Sequence, residues 1–438
     1  MMKQTIATCL MLLALGAFSS PAAKIYIYID APATSKFPIA IEPFKNVGGA
    51  AGLNDVAKTI SSVISGDLEI SGLFRLIDPK TFIATPDDKE ITADRIRWDD
   101  WSLLGAEALA RGGVYQEATN LRVEARLYDV VKGSFLSGKR YFGEPGDARL
   151  MGHKFADEII YQLTGGKGIF QTRIAFISDR TGRKEAYLID FDGKNQTQVT
   201  SHRSIVLSPA WSPDGKKVLY TSYKGGNPDV YMKDLFQGQE VKISHYRGIN
   251  LAADWSPDGG KIVLTLSEDN GNSDIYLISP QGEKLRRLTK EWSNEVSPCW
   301  SPDGREIAFV SNRAGNPQIY IMDLQSEKVR RLTFAGNYNT SPAWSPRGDK
   351  IAYASMAGST FSICTINADG SDPRQLTDAG SCESPAWSPD GRHVAFSSNR
   401  YGKKKIFIML ADGTGVRQVT GGEGNDTNPS WSPYIDYR

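Results

Sequence analysis

The chain reads as a two-domain protein: an N-terminal α/β domain followed by a six-bladed all-β propeller that its own C-terminal strand closes. Two observations carry the second half. Trp-Ser-Pro recurs at Trp211, Trp255, Trp300, Trp344, Trp387 and Trp431, spaced by 44, 45, 44, 43 and 44 residues. A unit of that length holds four short strands that cannot cover their own apolar faces, so the units must stack around an axis. In addition, Arg173 to Thr200 matches strands two to four of a unit without the first, whereas Asn428 to Pro433 matches a first strand without the rest. Joining the two pieces completes a sixth blade and removes two open sheet edges that would invite aggregation.

The fourth blade shows how each element follows from its residues. Ser297-Pro298-Cys299-Trp300 is the first strand, and Ser301-Pro302-Asp303-Gly304 a hairpin turn. There Pro fixes φ at the second turn position, Asp bonds its own backbone, and Gly takes the left-handed conformation. Glu306 to Val310, Gln318 to Asp323 and Val329 to Thr333 are β-branched or aromatic runs and supply the remaining strands. A tryptophan repeated in every unit serves the unit, so the six are expected to pack between blades.

The N-terminal half lacks the repeat. Strands are expected at Ile25 to Ile29, Pro38 to Ile41, Phe74 to Ile77, Leu121 to Tyr128 and Phe135 to Phe142, and helices at Asn54 to Ser65, Trp101 to Ala110 and Leu150 to Leu163. Asn54 and Asp147 read as helix starts and Gly112-Gly113 as a helix stop. This interleaving argues a sheet covered by helices. The boundaries expected are 1–23 for a signal peptide, 24–165 for the α/β domain and 169–438 for the propeller, with a short joint at Thr164 to Gly168.

The signal peptide follows from Lys3, the apolar run Ile6 to Phe18 and the small residues of Ser20-Pro21-Ala22-Ala23. The run is too short for a stable membrane span, so no membrane insertion is expected. Cys9 has no lipobox before it. Cleavage removes Lys3 and leaves 50 basic against 50 acidic side chains. That balance disfavours a nucleic-acid partner. Of the remaining cysteines, Cys299 reads as a small buried filler; Cys364 and Cys382 leave a disulfide open, though nothing in their spacing demands it.

Candidate binding residues lie in the loops from the fourth strand of one blade to the first of the next, which vary while their flanks repeat. They are Arg247 and Asn250, Asn294 and Glu295, Tyr338 and Asn339, Ser381 and Glu383, and Asn425 and Asp426. Variable polar and aromatic loops on a rigid scaffold are where recognition usually resides. Glu295, Glu383 and Asp426 could draw a cation to the channel mouth, but repulsion relieved by water is the more economical account.

Enzyme readings find little support. No Gly-x-Ser-x-Gly elbow or His-Glu-x-x-His occurs, and His153, His202, His245 and His393 are scattered. The Gly-Lys pairs lack the spacing of a phosphate loop, so no cofactor is expected. The alternative readings are the propeller of a peptidase-like protein, or a propeller binding a small ligand in its channel.

Leu163-Thr164-Gly165-Gly166-Lys167-Gly168-Ile169-Phe170-Gln171-Thr172-Arg173-Ile174-Ala175 at the joint and the truncated end Trp431-Ser432-Pro433-Tyr434 give the sharpest likeness to known proteins. Through them, and through its domain order, the whole chain resembles the TolB family of the Tol-Pal system. Arg347 departs from the usual Asp, and Tyr434 stands there in the last unit. The resemblance implies a non-enzymatic, monomeric periplasmic protein that supports outer-membrane integrity and constriction during division. It implies binding of the lipoprotein Pal by the loop face named above, and of TolA by the mature N-terminal segment Lys24, Ile25, Tyr26, Ile27, Tyr28, Ile29 and Asp30. The alternation in that segment suits addition to an exposed sheet edge, and equally a strand of its own domain.

Overall fold

The computed structural model describes residues 36–50, 52–83, 91–118, 120–267 and 271–435. The expected signal peptide, the strand expected at Ile25 to Ile29 and the segment Lys24 to Asp30 therefore lie outside the described residues.

The N-terminal unit runs β1 (Phe37–Ile41), β2 (Lys45–Asn46), α1 (Leu53–Ile70), β3 (Phe74–Leu76), α2 (Trp98–Leu103), β4 (Ala108–Glu117), β5 (Asn120–Asp129), β6 (Ser134–Gly143) and α3 (Ala148–Thr164). The sheet order is β3-β1-β4-β5-β6, with β2 also on β4. β1 is parallel to β3 and β4, whereas β4, β5 and β6 form antiparallel hairpins. Along α1 the buried positions Val56, Ala57, Ile60, Ile64 and Leu68 recur every three or four residues, the spacing of one helix face. That face packs with Phe155, Ile159 and Leu163 of α3 over Ile39 and Ile41 of the sheet. Trp101, Ile96 and Leu109 close the other side.

One expected element is wrong. The helix placed at Trp101 to Ala110 ends at Leu103, and Ala108 to Glu117 is the central strand β4, with Gly112 and Gly113 inside it. The glycines stop no helix; they admit neighbours. A Cβ on Gly112 would lie 2.2 Å from the Phe44 ring and 2.6 Å from the Glu124 carbonyl, so a close approach fixes the residue.

The propeller is six four-stranded antiparallel sheets. Asp426–Trp431 is hydrogen-bonded beside Arg173–Ser178, in register Asp426 to Ser178 and Trp431 to Ile174, so the predicted composite blade forms. Backbone and side chain seal the seam: the Trp431 indole donates to Thr172 Oγ1 at 2.8 Å and the Ser432 amide to the Arg173 carbonyl at 2.8 Å. The repeat tryptophans bridge blades as expected. Trp211 donates to the Ser430 carbonyl and Trp387 to the Ala343 carbonyl. Trp344 differs, bonding Gly348 within its own turn. In that turn Arg347 reaches the carbonyl of Asp390 in the next blade at 2.9 Å. Among the described residues, Cys299, Cys364 and Cys382 are all free thiols.

Gly165, left-handed at φ 74°, ends α3, and Asp157 ties the joint down by accepting the Phe170 amide at 3.1 Å and Gln171 Nε2 at 2.7 Å. The N-terminal unit then rests on the turns that follow the first and third strands of the blades. His393 Nε2 bonds the Ile70 carbonyl at 2.9 Å, and a Cβ on Gly72 would lie 2.7 Å from Leu410. Arg149 reaches Asp192, and Ser71 and Leu73 share a cavity of about 180 Å³ with Arg347, Asp390 and Tyr434.

Candidate functional site

Because each blade alternates strand direction, the loops after its second and fourth strands gather on the face opposite those turns. Among the described residues, none of the N-terminal unit is placed on this second face. The ten loop residues all lie at this end, but burial divides them sharply.

Asn250, Glu295, Asn339 and Asp426 occupy the first position of an innermost strand and are fully buried. Asn250 accepts Ser244 Oγ and the Tyr246 amide and donates back to the Tyr246 carbonyl, which pins its loop from beneath. Asn339 bonds Gln318 and the Ala335 carbonyl. Glu295 accepts Ser293, Ser311 and Arg313, and Asp426 pairs with Arg180 at 2.9 Å and Lys405 at 3.2 Å. These four shape the face without lying on it. The reason is periodic: a strand's first residue points inward, whereas the sequence variability that singled these positions out belongs to the loop before them.

The others are reachable. Arg247, Asn294, Tyr338 and Asn425 are exposed, and Ser381 and Glu383 half-buried. Asn425 grips Asp179 across the closing seam, Asn294 caps the Ser273 amide, and Glu383 is paired by Lys404 at 2.8 Å. The mouth carboxylates are thus neutralised by side-chain cations and not by solvent alone. Among the described residues, no group of three or more His, Cys, Asp or Glu side chains is placed to hold a metal ion.

Sequence reasoning missed the apolar part of this face. Trp292, Phe334 and Tyr401 are 76%, 74% and 79% exposed, and Ile205 and Ile249 stand out beside them. Large apolar side chains exposed at the tips of several adjacent loops make this face a candidate interaction surface. Part of the signal was available: Trp292, Phe334 and Ile249 sit within four positions of the polar residues chosen, whereas Ile205 and Tyr401 lie in turns from which no candidate was drawn.

A channel of about 460 Å³ runs through the ring, lined by the innermost strands. Every one of these strands carries a bulge, with Ser208, Ala252, Ser297, Ser341, Ser384 or Asn428 left-handed at φ between 50° and 54°. The inserted residue bends the strand and exposes small groups to the lumen. Asp254 is the exception in size, where the other blades carry Ala210, Cys299, Ala343, Ala386 and Ser430. Burial pushes its pKa up to about 6, opposed by the Trp300 and Trp255 amides that it accepts.

One arrangement resembles a hydrolytic relay. His202 lies 2.8 Å from Ser222 Oγ through Nδ1 and 2.8 Å from Glu240 through Nε2. Ser222 is fully buried, however, and its counterparts Ser178, Ser311 and Ser398 each accept a loop arginine. The serine is a strand-end pin with no path for a substrate.

Residues 160–435 match the family model described as the TolB beta propeller domain, and 25–136 match the TolB amino-terminal domain. The chain belongs to the TolB family. The solved TolB structure from Acinetobacter baumannii is 30% identical, covers 91% of this chain and 97% of its own, and superposes with a TM-score of 0.78. A Tol-Pal system protein TolB of Syntrophotalea carbinolica is 44% identical over 209 residues, 48% of each chain, and one of Desulfosudis oleivorans 41% identical over 198 residues, 45% of each. These alignments span about half the length of the curated relatives. A nidogen/laminin complex chain, 10% identical with a TM-score of 0.52 over 60% of this chain and 100% of its own, shares the propeller fold alone. The domain order and propeller expected of the TolB family are both present.

Proposed function

We propose that the protein is the TolB-type component of a Tol-Pal system, acting in the periplasm as a binding protein and not an enzyme. On this reading the open propeller face takes the lipoprotein Pal, and the segment Lys24 to Asp30 takes TolA. The observation that carries it is the division of the propeller: its turn face is occupied by the N-terminal unit, and its loop face presents Arg247, Tyr338, Trp292, Phe334 and Tyr401 to solvent. An aromatic-rich patch with a polar rim suits a folded protein partner better than a small ligand. The buried Asn250, Glu295, Asn339 and Asp426 act in this scheme by holding the loops that bear the contacts, with Asn294, Ser381, Glu383 and Asn425 forming the rim.

Pull-downs with the mature protein test both halves. Trp292→Ala with Phe334→Ala is expected to lose Pal and keep TolA, and deletion of residues 24–30 to do the reverse. Retention of Pal by the double variant, or of TolA by the deletion, overturns the corresponding half.

A further inference from the structure

α1, α3 and the first blade meet around a buried imidazole. His153 of α3 is 5% exposed and Asp67 of α1 2%, and His153 Nδ1 lies 2.7 Å from Asp67 Oδ2. On its other side, His153 Nε2 is 3.3 Å from Arg149 Nη2, and the same Arg149 nitrogen is 2.5 Å from Oδ2 of Asp192, in the turn after the third strand of blade one. Phe191 packs edge-on against the ring at 5.8 Å. The charged groups facing the imidazole are therefore Asp67 from α1, Arg149 from α3 and Asp192 from the propeller, with Asp157 of α3 acting on Asp67 through space.

Hydrogen-bond polarity fixes the protonation state. Arginine can only donate, so Nε2 must offer a lone pair, and Nδ1 must carry the hydrogen that Asp67 accepts. One proton added to the pair reaches Nε2 by either route. If the ring becomes imidazolium, both nitrogens carry hydrogen; if Asp67 is protonated and donates to Nδ1, the ring hydrogen moves to Nε2. In both cases an N–H then faces the guanidinium, and their contact becomes donor against donor.

We propose that Asp67, His153, Arg149 and Asp192 form a proton-operated latch between the N-terminal domain and the propeller, closed while Nε2 of His153 is bare and released when it gains a proton. The ring cannot retreat: a Cβ on the neighbouring Gly152 would lie 2.9 Å from Val63, so α1 and α3 are already in contact there. Arg149 can. A cavity of about 220 Å³, lined by Arg149, His153, Thr172, Asp190 and Asn195, lies alongside and gives the guanidinium room to swing away from Asp192.

The range of operation is near neutral. Burial opposes the imidazolium, but the hydrogen bond and charge of Asp67 outweigh it and hold the His153 pKa above its ordinary value. Burial lifts Asp67 to about 7. The latch is thus closed in mildly alkaline conditions and opens as pH falls through neutrality. Asp157, pushed up by burial to about 6, follows and weakens its hold on the joint amides.

The test uses the full mature chain. Histidine NMR, with His153 assigned through His153→Gln, should show proton uptake near neutral pH. Exchange protection of the backbone amides at residues 191–195, corrected for intrinsic rates, should fall about tenfold between about pH 8 and about pH 6. His153→Gln should hold protection constant across that range, and Asp192→Asn, at the domain surface, should show low protection throughout. Uptake by His153 only below about pH 5, unchanged protection despite uptake near neutral, or a wild-type response in Asp192→Asn would each overturn the latch.

Discussion

Blade one and blade four are built alike but closed differently. Each begins its inner strand with a buried acid, Asp426 or Glu295, met by an arginine from the loop after the second strand, Arg180 or Arg313. Each arginine also lies over two rings, Phe176 and Tyr187 or Phe309 and Tyr320, at nearly the same distances. The local chemistry is shared, yet the partners are 246 residues apart in blade one and 18 in blade four. Loop-closure entropy makes the longer contact costlier by about 2 kcal/mol. Blade one carries additional bonds at that seam. Asp426 takes a second cation, Lys405, and the Asn425 side chain adds a bond to Asp179 beyond the backbone bond that Asn294 likewise makes to Asn312, whereas Glu295 has two hydroxyls in place of the second cation and leaves Oε2 without a hydrogen bond. Contacts that close a ring are reinforced where the chain provides least help.

The largest break in this symmetry is truncation after Asn425, which bares Arg173–Ser178 and should abolish cooperative melting of the propeller by calorimetry. Trp300→Ala, a core truncation in blade four, should cost roughly 3 to 5 kcal/mol in denaturant unfolding. Asp426→Ala comes close behind at about 3 to 5 kcal/mol, since it strands two largely buried cations. Glu295→Ala should cost only about 1 to 3 kcal/mol, because Arg313 is left with Glu291 as its neighbour. An equal loss in these last two variants would mean that the seam is not specially reinforced. Smallest of all, Trp292→Ala should move stability by no more than about 0.5 kcal/mol while weakening partner binding at least tenfold by calorimetric titration.

The blades were readable because the sequence states each of them several times. Trp-Ser-Pro and Ser-Pro-Asp-Gly recur in register, and the missing strand at Arg173 has a visible complement at Trp431. The N-terminal domain offers one copy of each signal, so Gly112-Gly113 reads as punctuation where a ring and a carbonyl from neighbouring segments in fact require it. The candidate binding face was legible as loops but not as residues. Polar character drew attention to Asn250, Glu295, Asn339 and Asp426, which strand geometry turns inward, and away from Trp292, Phe334 and Tyr401. Only the fold tells which polar residue is a pin and which apolar one is unclaimed. The His153–Asp67 contact, 86 residues apart, has no local mark at all.

The composite blade also imposes an order of events on the nascent chain. A ribosome delivers the half-blade at Arg173 first and its missing strand last. At ordinary rates of synthesis the bare edge at Ile174 waits roughly 12 to 50 seconds for Trp431. Throughout that interval any extended polypeptide is a competitor for the same hydrogen bonds, so safe maturation of this protein calls for keeping it unfolded, or escorted, until the final strand has emerged.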